Sequence, residues 1–138
     1  MKPRDTGTGA VLEAMIVPAL DRGGYASRTQ INIGARPGGR RHTVDAIASR
    51  NGEDIVVSLK WQQTSGTAEQ KVPFEVMCLA DAVRAGLGTR AYLVLGGDGW
   101  TLREYFTSGA LADHLTHAAL VRIVTLEAFI RLANRSEL

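Results

Sequence analysis

Two turn sequences divide residues 25–62 into three segments that favour β-strands. The first turn, Arg36-Pro-Gly-Gly-Arg40, is built from turn-forming residues, and the second, Asn51-Gly52, is a strong signal for a tight β-hairpin. The segments between these turns are rich in β-branched residues, so we expect an antiparallel meander. The three predicted strands are Tyr25–Ala35, His42–Ser49 and Asp54–Gln62.

Helices alternate with strands in the rest of the chain. Apolar residues at helical spacing predict a helix over residues 8–21, in which Pro18 should bend or shorten the axis. A helix that starts at Thr67, where Thr67 and Gln70 fit a capping box, should end at Gly86. The remaining predicted elements are a strand at Ala91–Leu95, a mostly helical region at 101–117 broken at Gly109, a strand at Leu120–Leu126 and a helix at Glu127–Asn134. The order α-β-β-β-α-β-α-β-α indicates an α/β fold with a central mixed β-sheet flanked by helices.

Length, cysteine content and hydropathy narrow the class of protein. The 138 residues suit a single domain over residues 1–138 with a modest core. Cys78 is the only cysteine, which excludes a disulfide framework and a cysteine-based zinc site, and we expect it to be a small buried apolar group. The sequence has no apolar run of signal or membrane-span length, so we expect a soluble, cytoplasmic protein that does not enter a membrane.

Basic residues concentrate in the first part of the chain. Residues 1–50 carry eight basic and four acidic side chains, although the net charge of the whole chain is only +2. A local excess of this kind suits a polyanionic partner, but it is also typical of ordinary solvated surface. Arg36, Arg40 and Arg41, in a glycine-rich turn, are natural contacts for DNA phosphates, which position a duplex without reading its sequence.

An acid and a lysine on neighbouring predicted strands carry the main functional signal. Asp45 lies in an otherwise apolar strand, where it is either an edge-strand acid facing solvent or a metal ligand. Lys60 ends the next strand and should share a face with Val56 and Ser58, so the hairpin can set it beside Asp45. Carboxylate oxygens suit Mg²⁺, and a lysine can orient water near a phosphate. The pair is the minimum needed for metal-assisted phosphodiester cleavage, although a lone lysine at a strand end is usually solvated.

Three glutamates are further candidates. Glu69 and Glu75 lie on the helix after the third strand, and either of them could reach the Asp45/Lys60 site as a second metal-binding carboxylate. Alternatively, Glu69 complements the helix dipole and Glu75 flanks the core. Glu13 borders the apolar face of the first helix, where it is either a solvated surface acid or an additional carboxylate that holds metal or water.

Asp45 followed by Ser58-Leu-Lys60, within this order of elements, resembles the PD-(D/E)xK nuclease superfamily, which includes type II restriction endonucleases and archaeal Holliday junction resolvases. The resemblance covers roughly residues 10–130 and implies a restriction endonuclease-like core. It implies that Asp45 is the metal acid, that Lys60 is the catalytic lysine, that Gln62 helps to shape the site and that Glu13 matches an acid of the first helix in some members.

The resemblance also implies an activity. We expect a metal-dependent DNA endonuclease of the restriction or phage/host-defence type, with Mg²⁺ as cofactor and Mn²⁺ as a substitute, in a bacterial, archaeal or phage-encoded protein. A homodimer is expected because two-strand cleavage needs two sites. Ser58 departs from the family pattern by replacing the second acid, which Glu69 or Glu75 would then supply. The alternatives are a structure-selective nuclease such as a junction resolvase and an inactive DNA-binding or interaction module.

Overall fold

A five-stranded mixed β-sheet with helices on both faces forms the protein, as the predicted order of elements implies. The computed structural model describes residues 6–138, with side chains from residue 8 onward. The strands lie in sequence order, β1-β2-β3-β4-β5. They are β1 (Ala26–Ala35), β2 (Arg41–Arg50), β3 (Glu53–Trp61), β4 (Arg90–Gly96) and β5 (Val121–Thr125).

The antiparallel half of the sheet follows from its two turns. β1 pairs with β2 and β2 with β3, both antiparallel. Asn51 and Gly52 have φ angles of 54° and 80°, and a two-residue hairpin loop of type I′ requires positive φ at both positions. In the first turn, the Arg36 N–H donates to the Arg40 carbonyl at 2.8 Å. The predicted meander is therefore confirmed.

The parallel half of the sheet needs crossover connections. β3 pairs with β4 and β4 with β5, both parallel, and helices lie between these strands in the chain. The helices are α1 (Thr6–Val11), a π-helical turn (Leu12–Ile16), α2 (Val17–Arg22), α3 (Ala68–Arg84), α4 (Arg103–Thr107) and α5 (Leu126–Asn134). None of these helices of the described chain is both long and apolar enough to cross a bilayer.

Proline and glycine change two of the predicted helices. The predicted 8–21 helix is interrupted by the π-helical turn, which directly precedes Pro18 in the first turn of α2. Pro18 lacks an N–H and cannot continue the regular hydrogen-bond ladder, and a π-turn accommodates that loss. The predicted break at Gly109 in the 101–117 region is confirmed, because Gly109 adopts φ 85° and precedes a 3₁₀ turn, Ala110–Asp113. The helix before this break, α4, covers only Arg103–Thr107.

Two apolar clusters cover the two faces of the sheet. One joins β-strand residues such as Val57 and Leu59 to α2 and α5, and the other joins residues such as Val56 and Leu93 to α3 and α4. β3 and β4 are buried on both faces, as the central strands of an α/β sheet must be. Cys78 is 1% exposed on α3, which confirms the expectation that it is a buried apolar group.

Candidate active site

The β2–β3 ladder ends beside Asp45. Paired residues run from Arg50↔Glu53 to Ala46↔Val57, and beyond Ala46 the Leu59 N–H donates to Oδ2 of Asp45 at 2.7 Å instead of to the β2 backbone. Gln30, on the neighbouring β1, adopts φ 53° at the same level of the sheet. A half-buried carboxylate thus occupies the place where the two strands diverge.

A polar cleft of about 440 Å³ opens at this divergence. Asp45 and Lys60 both line it, so the hairpin brings together the two residues on which the functional hypothesis depends. Ionisable side chains from β2, β3, α3 and the first turn surround the cleft. These are Arg36, His42, Asp45, Lys60, Lys71 and Glu75.

Glu75 is the second acid of the cleft. It is only 8% exposed on the α3 face that packs against the sheet, and its Oε1 lies 3.9 Å from Nζ of Lys60. Burial raises the pKa of the Glu75 carboxyl, but the neighbouring His42 imidazole, the Lys60 charge and the Ser58 hydroxyl outweigh burial and lower that pKa below its ordinary value of 4.5. Glu75 is therefore ionised at neutral pH despite its burial.

Glu69 does not reach the cleft. Its carboxylate accepts hydrogen bonds from the Thr101 N–H, from Oγ1 of Thr101 at 2.7 Å and from the Leu102 N–H at 2.9 Å. Hydrogen bonds from Leu102 and Thr101 lower the pKa of Glu69, against a smaller opposing effect of burial. The carboxylate holds the start of α4, so of the two candidates only Glu75 lies near Lys60.

Gln62 joins two segments of backbone. Its Oε1 accepts from the Ala68 N–H at 2.9 Å, and its Nε2 donates to the Gly99 carbonyl at 2.8 Å. Gln62 therefore caps α3, whereas the Thr67 side chain makes no capping hydrogen bond, contrary to the predicted capping box.

A Cβ at Gly97 would lie 2.4 Å from the Gln62 carbonyl oxygen, so the 96–99 glycine turn serves close backbone packing.

Of the remaining predicted site residues, one lines the cleft and three lie outside its lining. Arg36 lines it and stacks over Phe74, with 5.4 Å from Cζ to the ring centroid. Arg40 and Arg41 are exposed and lie outside its lining. Glu13 is exposed in the π-helical turn and is also outside the lining.

His42 and Lys71 are cleft residues that the sequence did not single out. His42 is 3% exposed and lies 3.7 Å from Glu75, between Nε2 and Oε2. It is the second residue of β2, in which the next even-numbered positions, Val44 and Ala46, are apolar, so its position resembled a core position. Lys71 precedes Glu75 by one helical turn, and this spacing is the only signal that could have identified it.

The chemistry of the cleft fits a magnesium ion. Mg²⁺ keeps several of its waters and is bound through one or two carboxylates, and Asp45 and Glu75 provide two at one cleft. Within the described residues, no three His, Cys, Asp or Glu side chains surround a single point, as a closed structural zinc site would require. The donor set therefore suits a hydrated, oxygen-preferring cation.

Comparisons with known proteins agree with this fold. The crystal structure of AF1548, a protein of unknown function, is similar over 80% of this chain and 54% of its own, with a TM-score of 0.50 and 12% identity. This chain thus spans about half the length of that protein, and the likeness concerns the fold alone. A search of curated proteins finds no match. The family described as PD-(D/E)XK nuclease superfamily domain matches residues 4–137, nearly the whole chain. This protein therefore belongs to the PD-(D/E)XK nuclease superfamily.

Proposed function

We propose that this chain is a Mg²⁺-dependent DNA endonuclease of the restriction type, formed by a single domain over residues 1–138. The observation that carries the proposal is the meeting of Asp45, Lys60 and Glu75 at one cleft in a member of a nuclease superfamily. Ser58 occupies the strand position two residues before Lys60, and the carboxylate of Glu75 faces the same position from α3. Glu75 thus takes the place of the acid that Ser58 lacks.

Asp45 and Glu75 would hold the cation. The Leu59 N–H fixes one oxygen of Asp45, and His42, Lys60 and Ser58 together keep Glu75 ionised. A bound Mg²⁺ supplies a water of lowered pKa and neutralises charge on the scissile phosphate. The β3 backbone holds Asp45, and β3 side chains contact Glu75. Both carboxylates therefore keep a fixed position relative to Lys60.

Lys60 would act on the phosphate and its attacking water. Its side chain is 30% exposed, so the ammonium lies at the boundary between the buried acid and the open cleft. From there it donates hydrogen bonds to water or to a phosphate oxygen and stabilises the charge that develops during attack. Arg36 and Lys71, on the same cleft, supply further positive charge for neighbouring phosphates.

The substrate would be duplex DNA cut in both strands by a homodimer. A two-fold duplex matches a two-fold protein, and each copy would supply one cleft. Light scattering of the full chain with and without DNA tests this assembly, and a monomer on cleavable duplex would contradict it.

Plasmid cleavage tests the proposal. Asp45→Asn, Lys60→Ala and Glu75→Gln should each reduce Mg²⁺-dependent cleavage by roughly 100-fold or more, because each removes a cation ligand or the charge at the phosphate. Chelation of Mg²⁺ by EDTA should abolish cleavage, and Mn²⁺ should restore it. Glu69→Gln is the matched control on the same helix and should retain cleavage.

The outcomes separate the competing functions. Full activity in Asp45→Asn and Lys60→Ala would contradict the catalytic assignment. Cleavage of a four-way junction with no cleavage of linear duplex would indicate a structure-selective nuclease instead. Binding of DNA without cleavage in either Mg²⁺ or Mn²⁺ would indicate an inactive DNA-binding module.

A further inference from the structure

His42 is a buried imidazole, and one of its two ring nitrogens makes no hydrogen bond to the residues that the structure describes. Within the described residues, its Nε2 is buried and has no hydrogen-bond partner. Oε2 of Glu75 lies 3.7 Å away, which is longer than a hydrogen bond. An unsatisfied buried nitrogen is unfavourable, and an apolar side chain of similar size would avoid that cost. Packing alone therefore does not explain an imidazole at this position.

The imidazole completes a set of contacts around Glu75. Lys60 lies beside Oε1 and His42 beside Oε2, so each carboxylate oxygen faces a different side chain of the sheet. These two side chains come from adjacent strands, β3 and β2. Glu75 itself comes from a helix, so its orientation relative to the strands depends on these sheet contacts.

We propose that His42 is a positioning residue, whose imidazole donates Nε2–H to Oε2 of Glu75 and so orients that carboxylate for a divalent cation in the cleft lined by Asp45. This inference rests on the proposed function, because it assigns the role of His42 to the same cation site. On this proposal the two atoms would approach from 3.7 Å to hydrogen-bond distance when the carboxylate binds a cation. Residues that orient a metal ligand commonly change metal affinity by about 10–100-fold when they are replaced.

Calorimetric titration of Mn²⁺ into the full chain without DNA tests this role. His42→Leu keeps a side chain of comparable bulk but removes the donor, so it should weaken Mn²⁺ binding by roughly 10–100-fold. Its circular dichroism spectrum should match that of the wild type, which shows that a weaker Mn²⁺ titration does not come from loss of folding. His42→Gln, which retains an amide N–H donor, should recover part of the affinity.

Controls distinguish the positioning role from simple loss of folding. His114→Leu makes the same replacement at an exposed histidine outside the cleft and should leave Mn²⁺ affinity unchanged. Wild-type Mn²⁺ affinity in His42→Leu would overturn the inference. So would a loss of affinity accompanied by loss of the native circular dichroism spectrum, since that result indicates a structural role.

Two further variants separate this inference from the proposed function. Asp45→Asn and Glu75→Gln should both lose Mn²⁺ binding. If both bind Mn²⁺ like the wild type, the cation site itself is wrong. If both lose binding while His42→Leu retains it, the cation site stands and only the role of His42 is rejected.

Discussion

Glu75 combines burial with a negative charge. The carboxylate is 8% exposed, and a charge at such a position requires compensation from its neighbours. His42, Ser58 and Lys60 supply that compensation from the sheet, and their combined effect on the pKa of Glu75 exceeds the effect of burial. The same contacts that favour the ionised form also hold the acid beside Lys60.

The lowered pKa of Glu75 gives a prediction for pH-dependent stability. A group whose folded pKa lies below its unfolded value contributes stability above the unfolded pKa and loses that contribution as pH falls through the folded pKa. The wild type should therefore lose stability as pH falls below 4.5, the ordinary value for this carboxyl. Glu75→Gln should show a weaker acid dependence.

Urea unfolding of both proteins at a series of pH values provides the measurement. The gap between the two free energies of unfolding should shrink as the solution becomes more acidic. A gap that stays constant or widens on acidification would contradict the predicted direction of the pKa shift.

The sequence indicated part of this residue arrangement. Asp45 and Lys60 could be found because a charge in an apolar strand and a lysine two positions beyond a serine are local signals. The choice between Glu69 and Glu75 depends on how α3 docks on the sheet, which no local pattern contains. His42 was missed because it occupies an alternating position that otherwise carries apolar residues.

At the scale of elements, the link between β3 and α3 depends on one amide. Gln62 follows β3 directly, accepts from the first N–H of α3 and donates to the Gly99 carbonyl after β4. It therefore connects the lysine-bearing strand, the glutamate-bearing helix and the turn that follows β4. Helix ends need such partners because their first N–H groups have none within the helix.

Gln62→Ala should destabilise the protein by about 1–3 kcal/mol, because a partly buried carbonyl and a helix N–H both lose their partner. Gln63→Ala, at the exposed neighbouring position, should change stability by at most about 0.5 kcal/mol. Chemical denaturation of the two variants measures the difference, and equal stabilities would rule out the bridging role.

Local sequence signals also explain which elements were predictable. The Asn51-Gly52 hairpin and the central strands follow from short-range turn chemistry and continuous apolar runs. The break at Gly109 was predictable because glycine interrupts an otherwise helical pattern. The capping role of Gln62 was not predictable, because Gln62 contacts Gly99 across 37 residues of chain.

At the scale of the whole molecule, the two apolar clusters on opposite faces of one sheet should unfold together. Cys78, on α3, reports on the packing of that helix against the sheet because it is 1% exposed. Burial and the negative charge of Glu75 raise the pKa of the Cys78 thiol to about 11, so the reactive thiolate is scarce at neutral pH.

A thiol-specific reagent should therefore label Cys78 in the native protein at neutral pH only at the rate of unfolding. Labelling followed by mass spectrometry across a denaturant series should track the loss of helical circular dichroism. Rapid labelling without denaturant, at a rate independent of unfolding, would show that α3 detaches separately from the sheet. Cys78→Ala identifies any labelling elsewhere.

The placement of Glu75 on α3 makes the proposed cation site depend on tertiary folding. Asp45 and Lys60 belong to a hairpin whose contacts are close in sequence, but the other acid arrives only when α3 seats on the sheet. A newly made chain that has formed its hairpin but not yet docked this helix would lack one of the two proposed cation ligands. The proposed cation site would thus be completed only when tertiary assembly is finished.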